Sequence, residues 1–341
     1  MGSMTRSYYS FAGWLSWLVL LLFLPGIVAL KAQSNSQPSV AEYTADLNIT
    51  YCQVNGKELK LNAFLLTNSP GQVPAIVEIH GGWWYGGSFA PSLESVGGHQ
   101  AFIRHQLAVF SIEYRLGKRG GFPACIRDCR NAIRFIRKNA QRFNIDPNRI
   151  EVTGGSAGGH LSLMVAMVPE SFDDGGPTPG LEGVSAQVAG SFSYISPTDF
   201  LRFWNQGPDD VVTNQDGQLS FRQADSLILN DSRPRLRFLF HGVTPDTPGH
   251  QDLYEQMCPA GHIRGDVPPL LICDGEKDPI VPGLHGKWLY QQLQAAHADV
   301  MYWMTPNGGH SFPGGPGFDK VLDNFLEHSL KCSSTTNGAA P

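Results

Sequence analysis

Charge and cysteine are both scarce in this chain, and each scarcity narrows the classes of protein it can belong to. Charged residues make up 16% of the 341 positions, with 25 Lys and Arg against 30 Asp and Glu, a formal net charge of -5. A protein that binds nucleic acid needs a basic face for the phosphate backbone, so this composition argues against nucleic acid as a partner. No internal repeat or long low-complexity segment follows residue 41. The 42% hydrophobic content is ordinary for one globular domain with a sizeable core.

Cysteine is too sparse and too scattered to form a zinc site, which usually needs a close Cys-x-x-Cys pair. The chain has six cysteines: Cys52, Cys125, Cys129, Cys258, Cys273 and Cys332. Disulfides persist in exported proteins, and the pattern leaves all fifteen possible pairings open. Cys125 and Cys129 lie one helical turn apart, too distant for easy bridging. Cys273 falls in an apolar strand and is expected to be buried.

The amino terminus is expected to be separate from the fold. Residues 1–3 read as a cloning scar, and a basic start, an apolar run over residues 11–24 and small residues up to Ala32 are typical of a secretory signal peptide. A polar linker over residues 33–41 would lead into a domain over residues 42–332, followed by a flexible tail over residues 333–341. The expected location is outside the cell or in the periplasm; an uncleaved membrane anchor is the alternative.

Strand-like and helix-like segments alternate through the domain. Strands are expected over residues 47–54, 59–66, 74–80, 107–114, 150–153, 184–194, 270–273 and 300–305. Helices are expected over residues 124–141, 157–168, 284–296 and 318–330. Asn55-Gly56 joins the first two strands as a hairpin turn. This alternation predicts an α/β fold, with a mostly parallel central sheet flanked by helices on both faces.

Residues 200–249 interrupt the alternation with a polar, Pro-containing stretch between two core strands. Ligands bind at the carboxyl edge of open α/β sheets. We therefore expect a small insertion over that edge; a surface excursion unrelated to substrate is the alternative.

The clearest chemical motif is Gly154-Gly155-Ser156-Ala157-Gly158, which follows a strand and opens a helix. A serine hydroxyl becomes nucleophilic when a base takes its proton and a sharp strand-to-helix turn projects its oxygen. The helix amino terminus behind Ser156 also favours the negative charge of the transition state. Ser156 is thus the predicted nucleophile, and a chance loop is the alternative.

The motif His80-Gly81-Gly82-Trp83-Trp84 ends an earlier strand and predicts an oxyanion hole. Glycines let backbone N–H groups approach the developing oxyanion. In this type of site one donor follows the nucleophile and another comes from the strand-3 loop. The predicted donors are therefore Ala157, Gly82 and Trp83, while His80 is expected to brace the loop.

Asp278 and His310 complete a predicted catalytic triad. Each follows a strand, and the chain order Ser, Asp, His is the order found in α/β-hydrolases. Asp274 and Glu276 are competing acids in the same loop, and Asp274 is expected to cap the turn. His160 and His262 are competing bases, and His160 is expected to pack against its own helix.

These motifs resemble the esterase and lipase group related to hormone-sensitive lipase, most closely its feruloyl and acetyl xylan esterase branch. The resemblance also covers residues 113–116, 122–128, 266–269 and 278–282, and so nearly all of the exported part. It implies an α/β-hydrolase fold, a serine triad, no metal or cofactor, and esters of short acyl or hydroxycinnamoyl groups, often on plant polysaccharide. Trp83 replaces the third glycine of the usual His-Gly-Gly-Gly motif, a pattern that also resembles arylformamidases.

The predicted function is a secreted serine carboxylesterase acting on a small-molecule or polysaccharide-linked ester. An arylformamidase or amidase on the same fold and a catalytically silent binding module remain alternatives. Trp83, Trp84 and Tyr85 are predicted to bind substrate, because aromatic rings suit a planar acyl group or a sugar face. For Trp84 the alternative is inward packing beneath the loop. The acyl and alcohol groups and the oligomeric state are left open.

Overall fold

The computed structural model describes residues 41–172, 178–205, 212–213, 219–220, 236 and 239–335. The predicted signal peptide, nearly all of the linker and much of the insertion lie outside these residues. One structural unit begins at Ala41. Within the described residues, no helix combines the length and apolar character needed to cross a bilayer.

Among the described residues, eight strands form one sheet and two short strands pair with each other in a second sheet. The strands are β1 Tyr43–Val54, β2 Lys57–Leu66, β3 Val73–Ile79, β4 Ala108–Ile112, β5 Ile145–Gly155, β6 Gly190–Tyr194, β7 Val212–Thr213, β8 Leu219–Ser220, β9 Leu270–Gly275 and β10 Val300–Thr305. The large sheet runs in the order β1-β2-β4-β3-β5-β6-β9-β10. Strand β2 pairs antiparallel with β1 and β4, and the remaining pairs of this sheet are parallel.

The helices cover both faces of the large sheet. They are α1 His99–Arg104, α2 Ala124–Lys138, α3 Ala140–Phe143, α4 Ala157–Met167, α5 Phe200–Asn205, α6 Gln251–Met257, α7 Leu284–Ala295 and α8 Phe318–Thr335. Short 3-10 turns occur at Leu93–Ser95, Gly117–Arg119, Glu170–Phe172 and Pro259–His262. The last helix runs to Thr335, three residues past the predicted domain end at residue 332, and residues 336–341 of the predicted tail lie outside the described residues.

Alternate residues of the central strands pack into different cores, as a parallel sheet covered on both faces requires. Val77 of β3 packs in the same core as Ile133 of α2. Its neighbour Ile76 packs in the core that contains Phe325 of α8. This arrangement confirms the predicted α/β sheet flanked by helices.

One expected strand is much shorter than its sequence pattern. Residues 184–194 have the residue pattern of a strand, yet the strand β6, which pairs with its neighbours in the sheet, begins only at Gly190. The preceding carbonyls bind arginines of α2 instead: Arg134 donates to Val184 O at 2.9 Å, and Arg137 donates to the carbonyls of Ser185 and Gln187. These side-chain bonds replace the ladder that an extended segment would otherwise form.

The hairpin turn between β1 and β2 is confirmed. Asn55 and Gly56 both have positive φ, 51° and 77°. Two consecutive residues of this kind make the turn whose twist matches that of the flanking strands.

Candidate active site

Ser156 occupies a strained turn between β5 and α4. Its φ is 57° and its ψ is -123°, a backbone conformation that residues other than glycine rarely adopt. Its backbone N–H donates to Tyr194 O at 3.0 Å. A Cβ on Gly158 would collide with the Ile79 carbonyl oxygen, so only glycine lets α4 start this close to β3. The turn therefore projects Ser156 at the carboxyl end of β5.

The loop after β3 lies directly beside this serine. A Cβ placed on Gly81 would lie 3.5 Å from Ser156 Cβ and 2.9 Å from Gly155 O. Gly82, Trp83 and Trp84 follow with φ values of 117°, 56° and 61°. Positive φ at two bulky aromatic residues costs energy and persists only where surrounding contacts enforce it. The loop thus brings the backbone of Gly81 close to Ser156, and residues 82–84 continue from there in an enforced conformation.

Asp278 and His310 are hydrogen-bonded to each other. His310 Nδ1 lies 2.7 Å from Asp278 Oδ2, and a carboxylate only accepts, so Nδ1 carries the proton. Asp278 Oδ1 accepts from the backbone N–H groups of Ile280 at 2.8 Å and Val281 at 3.0 Å. The Asp278 side chain is fully buried, whereas that of His310 is 18% exposed. The carboxylate therefore fixes the imidazole ring, and Nε2 is the nitrogen available for proton transfer.

The His310 loop lies next to the serine turn through aromatic contacts. The ring of Phe312 packs against that of Tyr194 with centroids 5.1 Å apart. A Cβ on Gly155 would collide with the same Tyr194 ring. Ser156, Asp278 and His310 thus occupy adjoining loops at the carboxyl edge of the sheet.

The competing acids are engaged elsewhere. Glu276 Oε2 accepts from Asn307 N at 2.7 Å, and Asp274 Oδ2 accepts from the hydroxyl of Tyr302 at 3.0 Å. Asp274 does not cap the turn as expected: it is buried against Gly286 of α7, and burial raises its pKa well above the ordinary range. Asp278 is the acid of this loop that bonds to His310.

The competing histidines are also engaged in structural contacts. His262 Nε2 lies 2.7 Å from Gln256 O. His160 is fully buried, between Trp84 and Met257 O, and burial lowers its pKa to about 3. His160 therefore stays neutral at physiological pH, with no role as an exchanging base.

His80 braces the loop, as expected. Its Nδ1 lies 2.7 Å from Gly81 O, and its backbone carbonyl accepts from the hydroxyl of Tyr114 at 3.0 Å. The two rings stack with centroids 4.5 Å apart. Burial lowers the pKa of His80, so the ring is neutral and serves as packing.

The three aromatic residues of the loop have different surroundings. Trp84 is 2% exposed and packs against Phe200 with centroids 5.3 Å apart, so the prediction that it binds substrate is wrong and the inward-packing alternative holds. Tyr85 is 49% exposed. Trp83 is half-buried, and its ring is parallel to that of Phe203, with centroids 6.2 Å apart. Phe203 is not among the residues predicted to form the site, because residues 200–249 are recognisable in the sequence only as a polar insertion.

No group of three or more potential ligands capable of holding a metal ion occurs among the described residues. The cysteines Cys52, Cys125, Cys129, Cys258 and Cys273 are buried free thiols.

The carboxyl edge of this sheet carries a serine in a sharp strand-to-helix turn, an adjacent glycine loop, and an aspartate hydrogen-bonded to a histidine. This combination defines an α/β-hydrolase. The family model BD-FAE matches residues 61–293, and the chain belongs to the BD-FAE family.

Two curated relatives come from Mycobacterium tuberculosis. Esterase LipQ is 28% identical over 250 residues, 72% of this chain and 52% of LipQ. Carboxylesterase NlhH is 28% identical over 253 residues, 70% of this chain and 66% of NlhH. The chain therefore spans about half the length of LipQ and about two thirds of NlhH.

Solved structures share the fold at low identity. A truncated carbohydrate esterase from gut microbiota superposes with a TM-score of 0.67 at 23% identity, covering 86% of this chain and 98% of the other. A thermophilic esterase from Thermogutta terrifontis with butyrate bound gives 0.58 at 22% identity, covering 89% and 96%.

Proposed function

We propose that this protein is a serine carboxylesterase in which Ser156 is the nucleophile, His310 the general base and Asp278 the residue that orients His310. The observation that carries the proposal is the bond from His310 Nδ1 to the buried Asp278 carboxylate, at the sheet edge where Ser156 occupies its strained turn. This combination supplies the nucleophile, its base and the group that fixes the base.

Acylation would begin with attack of Ser156 Oγ on the ester carbonyl carbon. His310 Nε2 takes the hydroxyl proton as the new C–O bond forms. The buried Asp278 carboxylate stabilises the resulting imidazolium through the Nδ1 proton. Collapse of the tetrahedral intermediate breaks the bond to the alcohol, which leaves with the proton from Nε2.

Backbone N–H groups of Gly82, Trp83 and Ala157 are the proposed donors to the oxyanion. Ala157 is the first residue of α4, so its N–H has no partner within the helix. The helix dipole adds to the stabilisation of negative charge at this position. The enforced conformation of the Gly82 to Trp84 turn supports pre-organised donors on the opposite side.

Deacylation repeats the sequence with water in place of the serine hydroxyl. His310 Nε2 takes a proton from the water as its oxygen attacks the acyl carbon. The second tetrahedral intermediate expels Ser156, which regains its proton, and the carboxylic acid leaves.

We propose esters of short-chain acyl or hydroxycinnamoyl acids as substrates, including those carried by plant polysaccharide. Relatives named esterase and carboxylesterase and a fold neighbour described as a carbohydrate esterase support this class. The half-buried Trp83 ring and the exposed Tyr85 ring follow Gly81 in the same loop and provide apolar area there, which suits a planar acyl group or a sugar face.

A substrate panel tests this function. Turnover of p-nitrophenyl acetate, methyl ferulate, acetylated xylan and an aryl formamide is compared between wild type and Ser156→Ala. We expect ester hydrolysis by the wild type and none by the variant. Faster turnover of the formamide would favour the arylformamidase alternative, and no turnover of any substrate would favour the silent module.

We further propose that residues 4–32 direct export and are removed. The apolar run and the small residues up to Ala32 support this proposal. Amino-terminal sequencing of the protein recovered from its native host is expected to begin near Gln33. A mature chain that retains residues 11–24 would contradict it.

A further inference from the structure

The oxyanion loop holds a conformation that its own residues disfavour. Trp83 and Trp84 both have positive φ, at a cost of roughly 1–3 kcal/mol each for non-glycine residues. Within the loop, the carbonyl of Gly82 accepts from Tyr85 N at 3.2 Å and Gly86 N at 3.0 Å. These two bonds close the turn, but they do not attach it to the serine helix. Contacts with other elements must therefore hold the loop in register with the nucleophile.

The side chain of Trp84 supplies such a contact. Its indole Nε1 lies 3.2 Å from Nδ1 of His160, and the two rings meet edge to face with centroids 5.3 Å apart. His160 lies one turn into α4, and its backbone N–H donates to Ser156 O at 3.0 Å. One side chain thus connects the oxyanion loop to the helix that begins directly after the nucleophile.

The same imidazole also reaches the base of the insertion. His160 Nε2 lies 2.7 Å from the carbonyl of Met257, the last residue of α6. The His160 ring packs on Phe200 of α5 with centroids 4.8 Å apart. Helices α5 and α6 are themselves joined, because Phe200 N donates to Cys258 Sγ at 2.9 Å.

The partners fix the tautomer of His160. An indole N–H only donates, so Nδ1 must accept; a backbone carbonyl only accepts, so Nε2 must carry the proton. The neutral ring therefore satisfies both contacts at once. Protonation would place a second hydrogen against the indole N–H, and complete burial already holds the pKa at about 3.

We propose that His160 is a positioning residue for the oxyanion hole, and that it acts through Trp84 to hold the Gly82 and Trp83 donors beside Ser156. The inference rests on the esterase function proposed above. Donors in the oxyanion hole act on the transition state, and a displacement of about 1 Å costs up to about 100-fold in rate. Loss of the connection should therefore lower kcat and leave KM nearly unchanged.

Three substitutions separate the two contacts of the ring. His160→Phe keeps an aromatic ring and removes both bonds. His160→Asn places its amide oxygen near the position of Nδ1 and can still accept from Trp84. His160→Gln places its amide nitrogen near the position of Nε2 and can still donate to Met257. If the loop connection matters most, His160→Asn retains more activity than His160→Gln.

The assay uses the full chain, p-nitrophenyl acetate and a trifluoromethyl ketone, which adds to the serine and places an oxyanion in the hole. For His160→Phe we expect kcat to fall roughly 10- to 100-fold with KM within about threefold. The inhibition constant of the ketone should rise by the same factor as kcat falls. Tyr43→Phe, which removes a hydrogen bond to Leu107 O on the edge strand β1, is the control for a structural loss alone.

The outcomes distinguish this inference from the proposed function. Inactive wild type would overturn both. If the wild type is active and folded His160→Phe keeps kcat and ketone affinity within about twofold of it, the positioning role alone is overturned. Greater activity in His160→Gln than in His160→Asn would overturn the route through Trp84. If the His160 variants do not fold, Trp84→Phe decides: it keeps a ring, removes the indole donor, and must show the same loss of kcat and ketone affinity.

Discussion

Asp278→Asn changes one atom of a fully buried side chain, and the surrounding bonds determine how the amide must lie. Asp278 Oδ1 accepts from the backbone N–H groups of Ile280 and Val281, at 2.8 Å and 3.0 Å. Only the amide oxygen can replace it there, because an NH2 group would face two donors. The NH2 group is therefore forced to the position of Oδ2, which lies 2.7 Å from His310 Nδ1.

An amide donor at that position reverses the histidine tautomer. Nδ1 must then accept, so the proton moves to Nε2, and the ring can no longer take the proton of Ser156. Loss of the correct tautomer in a serine triad lowers kcat by about 10⁴. At 1.36 kcal/mol per tenfold this corresponds to about 5 kcal/mol of transition-state stabilisation. We expect a loss of kcat of about 10³ to 10⁴, with the fold retained.

Steady-state hydrolysis of p-nitrophenyl acetate by folded protein measures this loss, and Glu276→Gln is the matched control in the same loop. Glu276 accepts only from Asn307 N among the bonds observed, and a glutamine oxygen can do the same. The control should keep kcat within a few-fold of wild type. If Asp278→Asn kept more than about a tenth of the wild-type kcat, or if Glu276→Gln lost most of it, Asp278 would not be the residue that orients His310.

Two further predictions concern stability and specificity. Burial raises the pKa of Glu151 from 4.5 to about 8, so the stability of the wild type is highest below about pH 4.5 and falls progressively until the pH has passed about 8. Glu151→Gln, neutral throughout, should gain up to about 4 kcal/mol over wild type in free energy of unfolding between pH 5 and pH 9; a pH-independent difference in urea melts would contradict this. Trp83→Gly relieves positive φ and removes the ring stacked on Phe203, so the enzyme should stay folded and shift toward bulkier acyl or alcohol groups. An unchanged ratio of kcat/KM among acetyl, butyryl and feruloyl esters would show that the indole does not contact substrate.

The α/β architecture could be predicted because its signals are local. The serine turn, the glycine loop and the loops that carry Asp278 and His310 each follow a strand. Parallel strands bring their carboxyl ends to one edge of the sheet, so these loops are expected to meet there. The hairpin at Asn55 was equally predictable, since two positive φ values favour an Asn-Gly pair. The catalytic roles themselves remain predictions.

Other features depend on contacts between distant segments. The strand over residues 184–194 was overestimated because arginines of α2 take its first carbonyls. The inward packing of Trp84 depends on His160, 76 residues away in sequence, and on Phe200 beyond that. The hydrophobic period of a segment and the secondary-structure propensity of its residues carry no information about contacts between segments so far apart in the chain.

Covalent trapping shows directly whether Ser156 is the residue that forms the acyl-enzyme. Wild type, Ser156→Ala and His310→Ala are treated with a fluorophosphonate and analysed by intact mass and by peptide mapping. We expect one adduct per wild-type chain, on the peptide that contains Ser156, none on Ser156→Ala, and strongly slowed labelling of His310→Ala. An adduct on another residue, or equal labelling of Ser156→Ala, would contradict it.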